Sequence, residues 1–66
     1  MHYMTKQEKD MWIINIENAA GTVCEIYGSA VAKSVFQRYG ANGIYNLSPC
    51  YYSEVFSDLE LMVNNH

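Results

Sequence analysis

Basic residues are scarce in this chain of 66 residues. Four Lys and Arg stand against seven Asp and Glu, which gives a formal net charge of −3 at neutral pH. Binding to nucleic acid depends on many cations placed against phosphates, so this balance argues against a direct nucleic-acid binder. A modest acidic charge suits a protein partner with a basic surface, although it is also ordinary for solubility.

Long apolar runs are missing as well. No stretch approaches the roughly eighteen apolar residues that a membrane-spanning helix needs, and the first ten residues lack the regions of a signal peptide. We therefore expect no membrane partner and a cytoplasmic location with reduced thiols. The two cysteines, Cys24 and Cys50, have neither a metal-binding nor a redox spacing.

Residues that could perform catalysis are few. The two histidines, His2 and His66, stand at opposite ends of the chain, where a site has little rigid support. Cys50 near a predicted helix start is the remaining candidate nucleophile, and no histidine or second cysteine lies near it in the sequence. Phosphate-binding loops, zinc spacings and nucleophile elbows are absent. The sequence therefore predicts a protein that is not an enzyme and that has no cofactor or metal.

What the chain does contain is enough apolar material for a core. Half of its residues are apolar, which predicts one compact domain over residues 1–66. A core of this size supplies only roughly 3–5 kcal/mol of net stability. Self-association or a partner could therefore contribute to folding.

Apolar residues recur at helical spacing in three segments, about 6–27, 30–39 and 49–64. The first begins with a capping box formed by Thr5 and Glu8, and its Gly21 marks a candidate bend. These segments predict an all-α fold, a small three-helix bundle.

The connections between these segments carry recognisable turn signals. Gly28-Ser29 predicts a stop followed by a new cap, and Tyr39-Gly40 predicts a helix end with a left-handed glycine. Ser48-Pro49 predicts a serine side-chain cap with Pro in the first helical position. Ile44 and Leu47 are too apolar for a solvated loop, so we expect them to close the base of the core.

The C-terminal half carries a pattern of apolar, aromatic and turn residues. The pattern consists of Val35-Phe36, Arg38, Tyr39-Gly40-Ala41, Leu47-Ser48-Pro49, Tyr52 and Val55-Phe56. It resembles a family of short, mostly uncharacterised proteins found in phages and mobile elements of gut bacteria. An acidic residue is usual before the Leu-Ser-Pro of that family, whereas Asn46 stands there in this chain, so a charge-based role of that position does not carry over.

Most of the pattern consists of helix ends and core positions, so the resemblance implies a fold more than a function. It also implies a setting, that of small accessory proteins of mobile DNA. Inhibitors of host defence, anti-CRISPR proteins included, are common among such proteins.

An acidic edge on the third predicted helix is the first candidate binding site. Glu54 and Asp58 lie one turn apart, where like charges repel by a few tenths of a kcal/mol, and no Lys or Arg follows Arg38. Tyr51 and Leu61 flank them. We predict that these four residues form an exposed edge that binds a basic partner, with both carboxylates unpaired within the monomer. A solvated polar face with a single exposed Leu is the alternative.

Met11 and Ile14, which lie off the apolar arc of the first helix, form a second candidate binding patch. Together with Leu61 and six tyrosines they also fit self-association. Lys33 and Arg38 then serve solubility or face the acidic edge in a symmetric dimer.

Three functions follow, in order of preference. The first is a non-enzymatic protein-binding module, most concretely a phage or mobile-element inhibitor of a bacterial defence complex that uses its acidic edge. The alternative is a homodimeric structural or regulatory module whose main partner is itself. A small enzyme or redox protein acting through Cys50 ranks last.

Overall fold

A computed structural model of the chain describes residues 4–65. It contains three α-helices, α1 (Lys6–Tyr27), α2 (Ser29–Gln37) and α3 (Tyr52–Asn64), and no strand within those residues. Short 3₁₀ helices, Ile44–Asn46 and Pro49–Tyr51, lie between α2 and α3. The predicted three-helix bundle is therefore confirmed.

The first helix begins as the sequence predicts. The Thr5 hydroxyl accepts from the backbone N–H of Glu8 at 3.1 Å, and the Glu8 carboxylate accepts from the N–H of Thr5 at 3.2 Å. These two bonds satisfy donors that a helix start otherwise leaves free. The helix runs through Gly21 without interruption, so this glycine does not end or divide it.

Two glycines with positive φ separate the helices. Gly28 has φ of 99° and donates its N–H to the carbonyl of Cys24 at 2.9 Å, which closes α1. Gly28 is also the residue that precedes α2, so Ser29 is the first helical residue and not the predicted cap. Gly40 has φ of 75°, as predicted, and it turns the chain away from the end of α2.

The start of the third helical segment differs from the prediction. Pro49 does occupy the first helical position, but Pro49–Tyr51 takes the tighter 3₁₀ form and α3 proper begins at Tyr52. The Ser48 hydroxyl makes no capping bond to the backbone. It lies 3.2 Å from the Sγ of Cys50 instead.

The core draws side chains from all three helices and from the connector. Its buried residues are Ile16, Ala19, Val23, Ala32, Val35, Phe36, Ala41, Ile44, Leu47, Tyr52, Val55 and Leu59. Ile44 and Leu47 close the core as predicted. Tyr27, which the apolar arc of α1 includes, is an exception, because its ring is exposed at the end of α1 and its hydroxyl donates to the carbonyl of Met62 at 3.0 Å.

Within residues 4–65, no helix has both the length and the apolar character that crossing a bilayer requires.

The turn at Gly40 yields a stability prediction. A Cβ added at Gly40 or at Gly21 meets no atom within 4 Å, so crowding does not distinguish the two sites. The backbone φ distinguishes them, because it is positive at Gly40 and not at Gly21. We expect Gly40→Val to lower the free energy of unfolding by more than about 1 kcal/mol, whereas Gly21→Ala raises it by up to about 1 kcal/mol. Urea denaturation of both variants measures this, and equal midpoints for Gly40→Val and the parent chain would contradict it.

Candidate partner-binding surface

The end of α2 meets the outer side of α3 in a cluster of polar and aromatic side chains. The Tyr39 hydroxyl donates to Oδ2 of Asp58 at 2.6 Å, and Nη1 of Arg38 lies 3.7 Å from the same oxygen. The ring of Tyr39 also contacts that of Tyr51, with ring centroids 5.1 Å apart and planes tilted by 39°. Asp58 and Tyr51 are thus both held by Tyr39.

Asp58 is therefore not the exposed, unpaired carboxylate that the sequence predicts. Its side chain is only 28% exposed and it accepts a hydrogen bond from Tyr39. The prediction was wrong because the two residues that follow α2, Arg38 and Tyr39, lie beside Asp58 of α3. Arg38, interpreted as a solubilising charge or a dimer contact, pairs with Asp58 of its own chain. This ion pair is exposed on the Arg side, so it contributes little to stability.

The Tyr39 hydroxyl is shifted toward its protonated form. Its pKa is raised above 10.0 chiefly because it donates to Asp58, then by partial burial and by the negative charges of Asp58 and Glu54, while Arg38 opposes the shift. The phenol therefore remains a hydrogen-bond donor throughout the neutral range.

The rest of the predicted acidic edge is exposed. Glu54 lies one turn before Asp58, and Leu61, which is 57% exposed, lies one turn after it. Residues three and four apart share one side of a helix, so Tyr51, Glu54, Asp58 and Leu61 form one continuous strip, which we call the α3 edge. Within the α3 edge, the carboxylate of Glu54 is exposed, whereas that of Asp58 is held by Tyr39.

Met11 and Ile14 do not join this edge. They are 59% and 57% exposed on α1, where the neighbouring Trp12 packs edge-on against Phe56 with ring centroids 5.9 Å apart. Phe56 and Asp58 are two residues apart on α3 and so project to nearly opposite sides. The six predicted binding residues therefore form two separate surfaces.

The sequence did not single out two further aromatic residues that lie at the surface, Tyr39 and Tyr45. Tyr39 lies at the predicted end of the second helix, and a tyrosine at the border of an apolar face usually needs a partner for its hydroxyl. Tyr45 in the connector is 82% exposed, and its hydroxyl lies 3.3 Å from Oε2 of Glu17. Its place in an apolar connector gave no signal of this exposure.

Acidic side chains and two cysteine thiols are present within residues 4–65. Within this range no group of three or more His, Cys, Asp and Glu side chains is placed to hold a metal ion. Cys24 is partly buried and Cys50 is exposed, and both are free thiols. The hydroxyl of Ser48 beside Cys50 is not a base at neutral pH. His2 and His66 lie outside the described residues.

Comparisons of the chain with protein-family models, with curated proteins and with solved structures found no match.

The contact between Tyr39 and Asp58 predicts a pH dependence. A phenol whose pKa is higher in the folded chain is stabilised in its protonated form, so its contribution is complete below the unfolded value of 10.0 and is lost as pH rises through the folded value. We expect Tyr39→Phe to lower the melting temperature at neutral pH and the difference from the parent chain to shrink above about pH 10. Thermal melts of both proteins from neutral to alkaline pH test this. Tyr52, whose pKa burial also raises, is present in both proteins and cancels. A difference that stays constant with pH would contradict the prediction, because it would show that the stability lost in Tyr39→Phe does not depend on the protonation of the hydroxyl.

Proposed function

We propose that this protein is a non-enzymatic module that binds another protein through the α3 edge. The observation that carries the proposal is the exposure of Glu54 between Tyr51 and Leu61 on one side of α3. Large aromatic and apolar side chains beside a charged group are typical of interface centres and their rims. Folding does not require this exposure, because the core is formed by the opposite side of α3.

The distribution of charge indicates the chemistry of the partner. Residues 1–38 carry four basic and four acidic side chains, whereas residues 39–66 carry three acidic side chains and no Lys or Arg. The whole formal charge of −3 therefore arises after Arg38, in the part of the chain that contains α3. A partner with a basic surface complements it, and opposed charges accelerate association and favour the correct orientation.

The proposed setting is a bacterial cytoplasm, and the proposed role is a phage or mobile-element inhibitor of a defence complex, similar in action to anti-CRISPR proteins. Two features support this role. The pattern in the C-terminal half resembles short proteins of phages and mobile elements, and an acidic edge is complementary to the positively charged channel in which RNA-guided complexes hold nucleic acid. An inhibitor that covers such a channel needs no catalytic group.

Charge reversal at Glu54 tests the edge. Glu54 is exposed, so we expect Glu54→Lys to change the free energy of unfolding by no more than about 0.5 kcal/mol. The partner should nevertheless bind at least about tenfold more weakly, because opposed charges at the interface become like charges. Glu25→Lys on α1 is the matched control, since it makes the same change at another exposed glutamate.

The measurement has two stages. The parent chain is used to capture its partner from a bacterial lysate, and the dissociation constants of the identified partner for the three proteins are then compared. In parallel, each protein is produced in cells whose CRISPR system targets a phage, and the plating efficiency of that phage is measured. We expect the parent and Glu25→Lys to restore plating and Glu54→Lys to fail. Equal binding by Glu54→Lys would exclude the α3 edge, and unchanged plating with a panel of defence systems would exclude the inhibitor role.

A further inference from the structure

We propose that Asn42 is a site of spontaneous deamidation through its neighbour Gly43, and that Asn46 slows this reaction while the chain is folded. Asparagine is among the chemically labile residues of proteins, and Asn42-Gly43 is the one Asn-Gly pair in the sequence. The inference does not depend on the function proposed for the α3 edge, because the pair lies in the connector between α2 and α3.

The reaction joins the backbone of Gly43 to the side chain of Asn42. The amide nitrogen of Gly43 loses its proton and attacks Cγ of Asn42, which forms an N–Cγ bond and expels the carboxamide nitrogen as ammonia. Water then opens the resulting cyclic imide. Cleavage at Cγ leaves aspartate, and cleavage at the backbone carbonyl carbon leaves isoaspartate. In sum, a carboxamide and water give a carboxylic acid and ammonia.

The two reacting groups lie at the surface. Asn42 is exposed and Gly43 is partly exposed. Because residue 43 has no Cβ, its nitrogen is open to a neighbouring side chain. Every other asparagine of the chain precedes a residue that carries a Cβ, so the same attack is more crowded there. Asn42 is therefore the asparagine at which we expect the reaction first.

The side chain of Asn46 restrains both groups in the folded chain. Its Oδ1 accepts from the N–H of Asn42 at 2.9 Å and from the N–H of Gly43 at 3.2 Å. The proton that must leave Gly43 is thus held in a hydrogen bond. Two bonds to one oxygen also restrict the rotation of Asn42 about its Cα–C bond, and closure of the imide ring requires a particular rotation there. Local opening of the connector releases both restraints.

The products would alter the connector permanently. Either product adds a negative charge to a chain whose formal charge is −3. Isoaspartate also lengthens the backbone by a carbon between the two N–H groups that share Oδ1 of Asn46. One oxygen then no longer fits both donors. The neighbours of the pair, Ala41 and Ile44, are buried, so this change would disturb the part of the core that the connector closes.

Ageing of the purified chain tests the proposal. The protein is incubated in mildly alkaline buffer made with water enriched in heavy oxygen, with and without urea, and is then digested with trypsin. No Lys or Arg follows Arg38, so residues 39–66 remain one peptide whose fragmentation locates the modified residue. We expect heavy oxygen to enter at Asn42, slowly in the folded chain and at least about fivefold faster in urea, where the hydrogen bonds to Asn46 are lost.

Three variants separate the roles of the residues. Asn46→Ala removes the acceptor and should accelerate the reaction of the folded chain at least about fivefold. Asn46→Asp is its matched control, since a carboxylate keeps the acceptor and the slow rate. Gly43→Ala should suppress the reaction in buffer and in urea alike. A Cβ at Gly43 meets no atom within 4 Å, and the φ of −179° suits any residue, so this variant should fold. Far-UV circular dichroism confirms the fold of each.

Three results would overturn the proposal. They are equal rates for the folded parent chain and the chain in urea, modification of another asparagine before Asn42, and a folded Asn46→Ala that reacts no faster than the parent. The comparison between buffer and urea uses the parent chain alone, so the proposal can fail even where Asn46→Ala does not fold.

Discussion

The apolar stripe of α1 is the surface on which both other helices are packed. Ile16 and Val23 are completely buried there, and α1 contacts α2 and α3 more extensively than these contact each other. In a chain this short the core is small, so burial along one helix carries a large share of the net stability. Met11 and Ile14 lie on α1 outside that stripe, and both are more than half exposed.

The second constraint is the contact between α3 and the two residues that precede Gly40. Arg38 and Tyr39 both lie against Asp58. This contact gives the two carboxylates of the α3 edge different roles. Asp58 is held by its own chain and supports the fold, whereas Glu54 remains exposed. The two carboxylates look equivalent on a helical wheel, but the tertiary contact makes them different.

Most residues of the pattern that resembles phage and mobile-element proteins occupy core or turn positions. Val35, Leu47 and Val55 are buried, and Gly40 has the positive φ of the turn. Asn46 accepts hydrogen bonds from the N–H groups of Asn42 and Gly43 at 2.9 and 3.2 Å. A carboxylate at that position has the same acceptor geometry. The position of Asn46 thus serves the connector, and the residues proposed for binding lie largely outside the pattern.

Much of the architecture could be predicted because it depends on neighbours in the sequence. The capping box of Thr5 and Glu8, the left-handed Gly40 and the helical spacing of the apolar residues each involve residues only a few positions apart. Backbone sterics and short-range hydrogen bonds act at that range. One local prediction was wrong. Ser48 was expected to cap the third helix with its side chain, but its hydroxyl lies against Cys50 instead.

The pairing of Asp58 and the separation of the two surfaces were decided only by the tertiary structure. Tyr39 and Asp58 are 19 residues apart, and Tyr27 and Met62 are 35 apart. Such contacts depend on how the helices cross and on which side of α3 the end of α2 lies. Residue periodicity reports which face of a helix is buried, but it does not report which neighbour that face meets. The sequence by itself therefore determined the helices and their inner faces, and packing decided which outer side chains remain exposed.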